Sequence, residues 1–248
     1  MHRIVTRSVK NYSQIVTASE ISEVTDFLAK NYWNVNAGEP IGTLTHKPVS
    51  SSGQFFYDKS IIHFIEHGME RQSDCFRIIR GEKSGKIKAF GSFSVETLPL
   101  DPVKMRYLWL NDVNFQLIQR LGLFEILNEK MCQEKEILGK QFIYLGILCL
   151  EKSIIGGGSG IKHCNKIAYD IMKEYLSREE VIGACGMTTW EASQALMLGW
   201  NNYMKDLELD FGVISEVRYD EFKLANGKFP LARHVNESFT TAKLIGQY

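Results

Sequence analysis

Hydrophobic and polar positions follow two spacings along this chain, and each spacing predicts a different type of element. The run Phe142-Ile143-Tyr144-Leu145-Gly146-Ile147-Leu148-Cys149-Leu150 is apolar without a 3.6-residue repeat and is followed by glycines. Such a run predicts a strand over 141–150 that is buried on both faces. From Ile161 to Tyr175 the apolar residues recur at helical spacing, which predicts an amphipathic helix. A glycine-rich loop at residues 154–160 joins the two predicted elements.

The N-terminal half of the chain predicts a mixture of helices and strands. A first strand is expected within residues 4–15, and a helix opens at residues 17–20, with Ser19 as its N-cap, and ends near residues 31–33. A long loop at 34–53 and a second helix at 58–70 follow. Residues 76–79 and 86–97 predict two strands joined by the polar turn 81–85, and residues 114–138 predict a helix.

The C-terminal part returns to short alternating elements. Residues 181–188 predict a strand, 190–209 a helix and 211–219 another strand. A turn region at 223–230 contains Asn226-Gly227, and a last strand is expected at 239–245. We see no repeat and no linker, so one mixed α/β domain over residues 1–248 is the simplest prediction.

Composition and charge exclude several functional classes. Lys plus Arg and Asp plus Glu are 29 each, so the net charge is zero, which argues against a nucleic-acid binder that works through bulk charge. No apolar stretch approaches the roughly 18 residues that a transmembrane helix needs. The N-terminus has no apolar core of a secretory signal, so we expect a cytoplasmic protein, with a mitochondrial presequence left open. The oligomeric state is not indicated.

Cysteine and histidine spacing does not predict a metal site. The five cysteines show no metal-ligand spacing, and three lie in apolar contexts typical of reduced core residues. His63 and His67 have the i, i+4 spacing that can hold zinc, but the protease-type Glu and a third ligand are missing. A pair on a helix surface is therefore the favoured interpretation.

The glycine-rich loop is the best functional signal from the residues alone. Glycine lets a backbone approach a ligand closely, and the N-terminus of a helix presents unpaired N–H groups and a partial positive charge. Phosphate is a suitable ligand for such a loop between strand and helix. The alternative is that the glycines serve only a tight turn.

Three features together resemble a known family. The first is the order of the predicted elements. The second is the segment 209–227, in which Leu209-Asp210-Phe211 is followed by a strand and then by Tyr219-Asp220-Glu221-Phe222. The third is the motif Gly38-Glu39-Pro40-Ile41 in the long loop. The chain resembles the GNAT acetyltransferase superfamily, and within it the arylalkylamine N-acetyltransferases of the insect dopamine type. The resemblance implies a central mixed, mostly antiparallel sheet with a splayed parallel strand pair, flanked by helices.

The resemblance also implies a cofactor, a substrate and a set of residues. Acetyl-CoA would lie along the strand ending at Cys149 and Leu150, and a small, aromatic primary amine would enter beside the first-helix loop. The loop Gly156–Gly160 would hold the pyrophosphate, and the cofactor-binding residues implied there are Gly156, Gly157, Gly158, Ser159, Gly160 and Ile161. No metal, nucleic acid or membrane takes part in the implied reaction.

The implied chemistry is direct transfer of an acetyl group to an amine. An alkylamine is mostly protonated near pH 7, so a base must remove a proton, and the family's loop glutamate maps to Glu39. A backbone N–H of the central strand would stabilise the tetrahedral intermediate. Ser193 is the best match for the family's serine that assists the departing thiolate, and Thr189 is a weaker match.

The glycine loop departs from the family pattern, (Arg/Gln)-x-x-Gly-x-(Gly/Ala). One register places Gly157, Gly160 and Lys162 at the fixed positions and the other places Ile155, Gly158 and Gly160, so the Arg or Gln is absent in both. Lys162 or His163 would either replace it or simply be solvated. Two further hypotheses therefore stay open: a CoA-binding module without turnover, and a GNAT enzyme for a non-aromatic amine such as a polyamine.

Overall fold

One seven-stranded sheet organises the described part of the chain, which in this computed structural model comprises residues 13–28, 30–31, 74–98, 115–155, 157–224, 226–229, 231–232, 235 and 240–247. The strand order is β1-β2-β3-β4-β5-β7-β6. The strands are β1 (Gln14–Ile15), β2 (Asp74–Arg80), β3 (Ile87–Thr97), β4 (Gln141–Leu150), β5 (Val181–Thr188), β6 (Gly212–Arg218) and β7 (Thr241–Gln247). Neighbouring strands are antiparallel except β4 and β5, which are parallel. The predicted mixed, mostly antiparallel sheet is confirmed.

Four α-helices of the described residues flank this sheet: α1 (Ile21–Leu28), α2 (Phe115–Gln133), α3 (Gly158–Tyr175) and α4 (Glu191–Tyr203). Ile167 of α3 and Met197 of α4 share an apolar cluster with Leu145 of β4, so both helices pack on one face. Val24 of α1 packs with Ile147 of β4 on the other face, where Leu127 of α2 also lies, in a separate cluster. We refer to the two faces of the sheet as the α3/α4 face and the α1/α2 face.

The predicted hairpin is confirmed. β2 pairs antiparallel with β3, from Asp74 opposite Ser94 to Arg80 opposite Ile87. The turn between the strands contains Gly85 at φ 65°, a left-handed conformation that glycine adopts without a Cβ clash. Arg80, the last residue of β2, donates to the Gly85 carbonyl and to the carboxylates of Glu20 and Glu23, which holds the start of α1 against the hairpin.

Several predicted helix boundaries are wrong. Thr17, not Ser19, caps the first helix: the Glu20 carboxylate accepts the Thr17 backbone N–H at 2.9 Å, and Ser19 lies inside a short 3₁₀ turn. α2 ends at Gln133 instead of 138, because residues 135–139 form a turn with Gly139 at φ 79°. α4 ends at Tyr203 instead of 209, and a 3₁₀ turn at Lys205–Leu207 follows it.

Some predictions lie outside the described residues and stay predictions. They are the first part of the N-terminal strand, the long loop at 34–53, the helix at 58–70 and the histidine pair within it, and the single domain over 1–248. For the described residues, no helix is long and apolar enough to cross a membrane.

Candidate active site

The two parallel strands separate at their carboxyl ends. Their pairing runs from Gln141 opposite Val181 to Leu145 opposite Gly186 and stops there, although β4 continues to Leu150 and β5 to Thr188. Gly186 lies tightly against Leu145, since a Cβ at position 186 would stand 2.7 Å from the Leu145 Cβ. The splayed pair implied by the resemblance is therefore present, and the opening begins directly after Leu145.

A β-bulge in β4 lies at the same level as the start of this opening. Ser92 of β3 faces Ile147 and Phe93 faces Leu145, so Gly146 is the extra residue of β4. In a regular strand, residues 144 and 147 would lie on opposite faces, but the extra residue places both side chains on the same face. Tyr144 packs with α2 there, and Ile147 packs with α1. The α1/α2 face is thereby divided into two apolar clusters whose boundary on β4 is Gly146.

Ser92 pairs with the backbone at the bulge. Its Oγ accepts the Ile147 N–H at 2.8 Å, and Ser92 is only 3% exposed. N–H groups alternate between the two edges of a strand, so the Leu148 N–H points to the opposite edge, where β5 has stopped pairing. The Leu148 N–H, and by the same alternation the Leu150 N–H, is therefore placed to meet a group in the opening.

The predicted glycine loop is shorter than expected, because the helix that follows starts earlier. α3 begins at Gly158 with Gly157 as N-cap, so Gly158, Ser159 and Gly160 form its first turn. Gly160 is required by packing: a Cβ there would stand 2.5 Å from the Ile154 carbonyl oxygen. Gly158 and Ser159 are exposed, and the first N–H groups of a helix have no partner within it. This end of α3 follows β4 and can accept an anion.

The basic residues near this helix end are Lys152, Lys162 and His163. Lys152 and Lys162 are exposed, and His163 is partly exposed with Nδ1 hydrogen-bonded to the Ser159 carbonyl, which makes Nδ1 the protonated nitrogen. The first turn of α3 contains no acidic residue. Ile161, also predicted to bind the cofactor, is 52% exposed beside them. The basic side chains and the unpaired N–H groups of this first turn together suit a phosphate group.

The two strand-end residues predicted to touch the cofactor point in different directions. Cys149 is 4% exposed in the cluster with α1, and burial raises the pKa of its thiol, so it is no nucleophile. Leu150 packs on the α3/α4 face.

The start of α4 holds the predicted thiolate partners. Ser193 is the third residue of α4 and partly exposed, with its N–H bonded to the Trp190 carbonyl at 2.9 Å. Thr189 is partly exposed just before the helix, and its carbonyl accepts the Tyr219 hydroxyl at 3.1 Å. Both residues therefore lie where β5 passes into α4, and their role in the reaction stays a prediction.

Sequence reasoning missed two buried polar residues beside them. Thr188 and Gln194 are 5% and 3% exposed, and the Thr188 Oγ1 and Gln194 Oε1 atoms have no hydrogen-bond partner among the described residues. The Gln194 Nε2 donates to the Thr241 carbonyl at 3.0 Å, which fixes the amide against β7. Their only sequence signal is that polar residues interrupt apolar positions at the end of β5 and in α4.

Glu39 and Gly156 lie outside the described residues, but described residues precede both in the chain. Asn31 is the last described residue before the segment 32–73, and its Oδ1 accepts the Lys152 N–H at 3.1 Å. Its Nδ2 donates to the Phe27 carbonyl at 2.8 Å. The segment that contains Glu39 therefore departs from a point bonded to the chain between β4 and α3.

A metal centre has no support in this part of the molecule. Among the described residues, no group of three or more His, Cys, Asp or Glu side chains is arranged to hold a metal ion. The candidate site thus consists of the opening between β4 and β5, the N-terminal end of α3 and the first turn of α4.

Comparison with known proteins identifies the fold. No protein-family model matches the sequence, and no curated protein matches it either. Three solved structures illustrate the likeness, and each match covers 95% of this chain. Two are a mosquito arylalkylamine N-acetyltransferase like 5b (12% identity, 98% of that chain covered, TM-score 0.66) and arylalkylamine N-acetyltransferase 2 from Aedes aegypti (14% identity, 97% covered, TM-score 0.65). The third is a polyamine N-acetyltransferase from Drosophila melanogaster (15% identity, 98% covered, TM-score 0.62). The chain has the GNAT fold, and its resemblance to the arylalkylamine N-acetyltransferases is confirmed in structure.

Proposed function

We propose that this protein is an acetyl-CoA-dependent N-acetyltransferase that transfers acetyl directly to a small amine. The observation that carries the proposal is the opening between β4 and β5, with the bulge at Gly146 on one side and the α3 N-terminus at the end of β4. An extended thioester arm can hydrogen-bond to the free edge of β4, while its phosphates meet the first turn of α3.

Glu39 is the proposed base and Ser193 the proposed hydrogen-bond donor to the departing thiolate. The amine must lose one proton as its nitrogen attacks the thioester carbon, and a carboxylate whose pKa is raised by a partly apolar site can accept it. Ser193 stands in the first turn of α4, where the partial positive charge of the helix end also favours a thiolate. Thr189, just before the helix, is the second candidate for this role.

An aromatic amine is the proposed substrate, and a polyamine is the second candidate. The likeness to arylalkylamine N-acetyltransferases supports the first, and the likeness to a polyamine N-acetyltransferase supports the second. The missing Arg or Gln in the glycine segment supports a third possibility, a CoA-binding module without turnover, since it removes one phosphate contact.

Calorimetry with acetyl-CoA, followed by release of CoA thiol with tryptamine, dopamine and agmatine in turn, tests all three. Turnover with tryptamine or dopamine supports the aromatic amine, and turnover with agmatine alone supports the polyamine type. Binding without turnover supports the silent module, and no binding rejects the proposal.

Variants then test the assigned roles. Glu39→Gln is expected to lower kcat by about 10²–10⁴-fold and to leave acetyl-CoA affinity unchanged. Glu179→Gln removes an exposed carboxylate in the turn after α3 and serves as the control. Unchanged kcat in Glu39→Gln would reject Glu39 as the base.

A further inference from the structure

Ser92 occupies an unusual position for a serine in a buried strand. It lies opposite Ile147 on the α1/α2 face, beside the bulge and level with the start of the opening between β4 and β5. Its Oγ lies over Gly146, because a Cβ built on that glycine would stand 2.6 Å from it. The missing side chain of Gly146 thus leaves room for the Ser92 hydroxyl directly after Leu145, the last residue of β4 that pairs with β5.

The hydrogen bond that Ser92 makes leaves its proton available. A serine hydroxyl has one O–H donor and two acceptor lone pairs, and here the oxygen accepts the Ile147 N–H at 2.8 Å. Accepting a hydrogen bond polarises the O–H group and makes it a better donor. Ser92 is only 3% exposed, so its hydroxyl is a fixed donor that solvent screens little, and such a donor stabilises a charge that forms beside it.

We propose that the Ser92 hydroxyl is a catalytic donor to the acyl oxygen of the bound thioester. This inference rests on the proposed function. An acyl thioester in the opening would bring its acyl end to Gly146, the first residue of β4 beyond the last pair with β5. The Leu148 N–H meets the arm from the edge of the strand, and Ser92 meets the acyl oxygen from the α1/α2 face.

The step balances without a proton transfer from Ser92. The amine nitrogen forms a bond to the carbonyl carbon, and the π electron pair moves onto the acyl oxygen, which Ser92 stabilises as an oxyanion. When this pair returns, the carbon–sulfur bond breaks and the thiolate leaves. The nitrogen loses one proton and the thiolate gains one, which gives the amide and free CoA.

The discriminating measurement needs no amine. Acetyl-CoA labelled with carbon-13 at the carbonyl is bound to the full chain, and the chemical shift of the bound carbonyl is recorded. In the wild-type protein the signal is expected downfield of free acetyl-CoA, because a donor polarises the carbonyl. Ser92→Ala should move it back toward the free value, and Ser92→Thr, which keeps the hydroxyl, should restore it.

Matched variants separate this role from a structural one. Ser94→Ala, two residues along the same strand and face, should leave the shift unchanged. Ser92→Cys keeps the size of the side chain but replaces the hydroxyl with a weak donor, so it should move the signal toward the free value even if Ser92→Ala fails to fold. With an amine that supports turnover, Ser92→Ala should lower kcat by about 10²–10³-fold, with an unchanged pH profile.

The outcomes also separate the two proposals. Acetyl-CoA binding with the same carbonyl shift in wild type, Ser92→Ala and Ser92→Cys would overturn the role of Ser92 and leave the transferase intact. Failure of the wild-type chain to bind acetyl-CoA would overturn both.

Discussion

The side chain of Asn31 joins the end of α1 to the backbone of Lys152, with 3.1 Å between the Asn31 Oδ1 and the Lys152 nitrogen. Lys152 opens the short 3₁₀ turn between β4 and α3. Asn31 is 3% exposed and also donates to the Phe27 carbonyl, so one amide bonds both pieces of chain. The segments that lead to the proposed amine site and to the proposed phosphate site therefore have a common anchor.

Loss of this anchor should be measurable as lost stability. Asn31→Leu removes both hydrogen bonds at similar side-chain volume and leaves the Phe27 carbonyl and the Lys152 N–H without this partner, so the free energy of unfolding should fall by about 1–3 kcal/mol. Asn31→Asp keeps the acceptor for Lys152 and should lose less. Urea unfolding measures both, and a Leu variant as stable as wild type would show that Asn31 is not an anchor.

The two glycines at the start of α3 should respond oppositely to alanine. At Gly160 a methyl group would meet the Ile154 carbonyl oxygen at 2.5 Å and Leu150 Cδ1 at 2.9 Å, so Gly160→Ala should destabilise the protein by about 1–3 kcal/mol. At Gly158 nothing lies within 4 Å, so Gly158→Ala should stabilise it by up to about 1 kcal/mol. Thermal unfolding of the two variants checks the signs, and equal shifts would contradict this packing.

The contrast between these glycines shows why part of the site could be predicted from sequence. The bounds of β4 and β5 were predictable because an apolar run bounded by polar residues and glycine is a local signal. The start of α3 was not, because glycine is a poor helix former and the pattern suggested a loop through Gly160. Its place in the first helical turn depends on its approach to Ile154, a contact that no spacing indicates.

Residues whose environment comes from distant chain segments were missed entirely. Ser92 meets Ile147 across 55 residues, and Gln194 meets Thr241 across 47. A polar residue in a strand or helix carries no local sign of such a partner. Local periodicity therefore predicts elements, whereas the bulge at Gly146 and the contact between Gln194 and Thr241 become visible only when the elements are packed together.

Most substitutions in a protein core lower stability, but the hydroxyl of Thr188 has no partner among the described residues, so we expect its removal to raise stability. Thr188→Val keeps the shape and removes a buried oxygen without a partner among the described residues, so stability should rise by about 1 kcal/mol. Thr241→Val removes a hydroxyl that accepts the Gln194 Nε2 at 3.4 Å and should lower stability. A loss in Thr188→Val, measured by urea unfolding, would show that the hydroxyl is hydrogen-bonded in solution.

Four of the five cysteines, Cys132, Cys149, Cys164 and Cys185, should differ in reactivity. Cys149, Cys164 and Cys185 are buried, and burial raises the pKa of Cys164 and of Cys185 to about 12 and that of Cys149 in the same direction. Cys132 in α2 is partly exposed. Iodoacetamide at pH 8 should therefore modify Cys132 much faster than these three in the native protein, and all four at similar rates in urea. Site-resolved mass spectrometry checks the order, and rapid native modification of Cys164 would contradict its burial.

The ion pairs of Arg80 should make stability depend on pH. Hydrogen bonds from Arg80 are the main cause of the lowered pKa of both Glu20 and Glu23. Groups with a lowered folded pKa stabilise the protein above the ordinary glutamate value of 4.5, and this stabilisation is lost as the pH falls through the lowered values. Arg80→Gln should therefore cost about 1 kcal/mol at pH 7, and the difference from wild type should shrink below pH 4.5.

Arg218 provides the matched control for this pH dependence. It pairs with Asp220 and Glu221, but the three side chains are 57%, 45% and 70% exposed, so solvent and salt screen the interaction. Arg218→Gln should change stability less than Arg80→Gln at every pH. Urea unfolding of wild type and both variants between pH 7 and pH 3 measures these free energies of unfolding. If the difference in free energy between wild type and Arg80→Gln stayed constant across this range, Arg80 would act through packing of its side chain rather than through its charge.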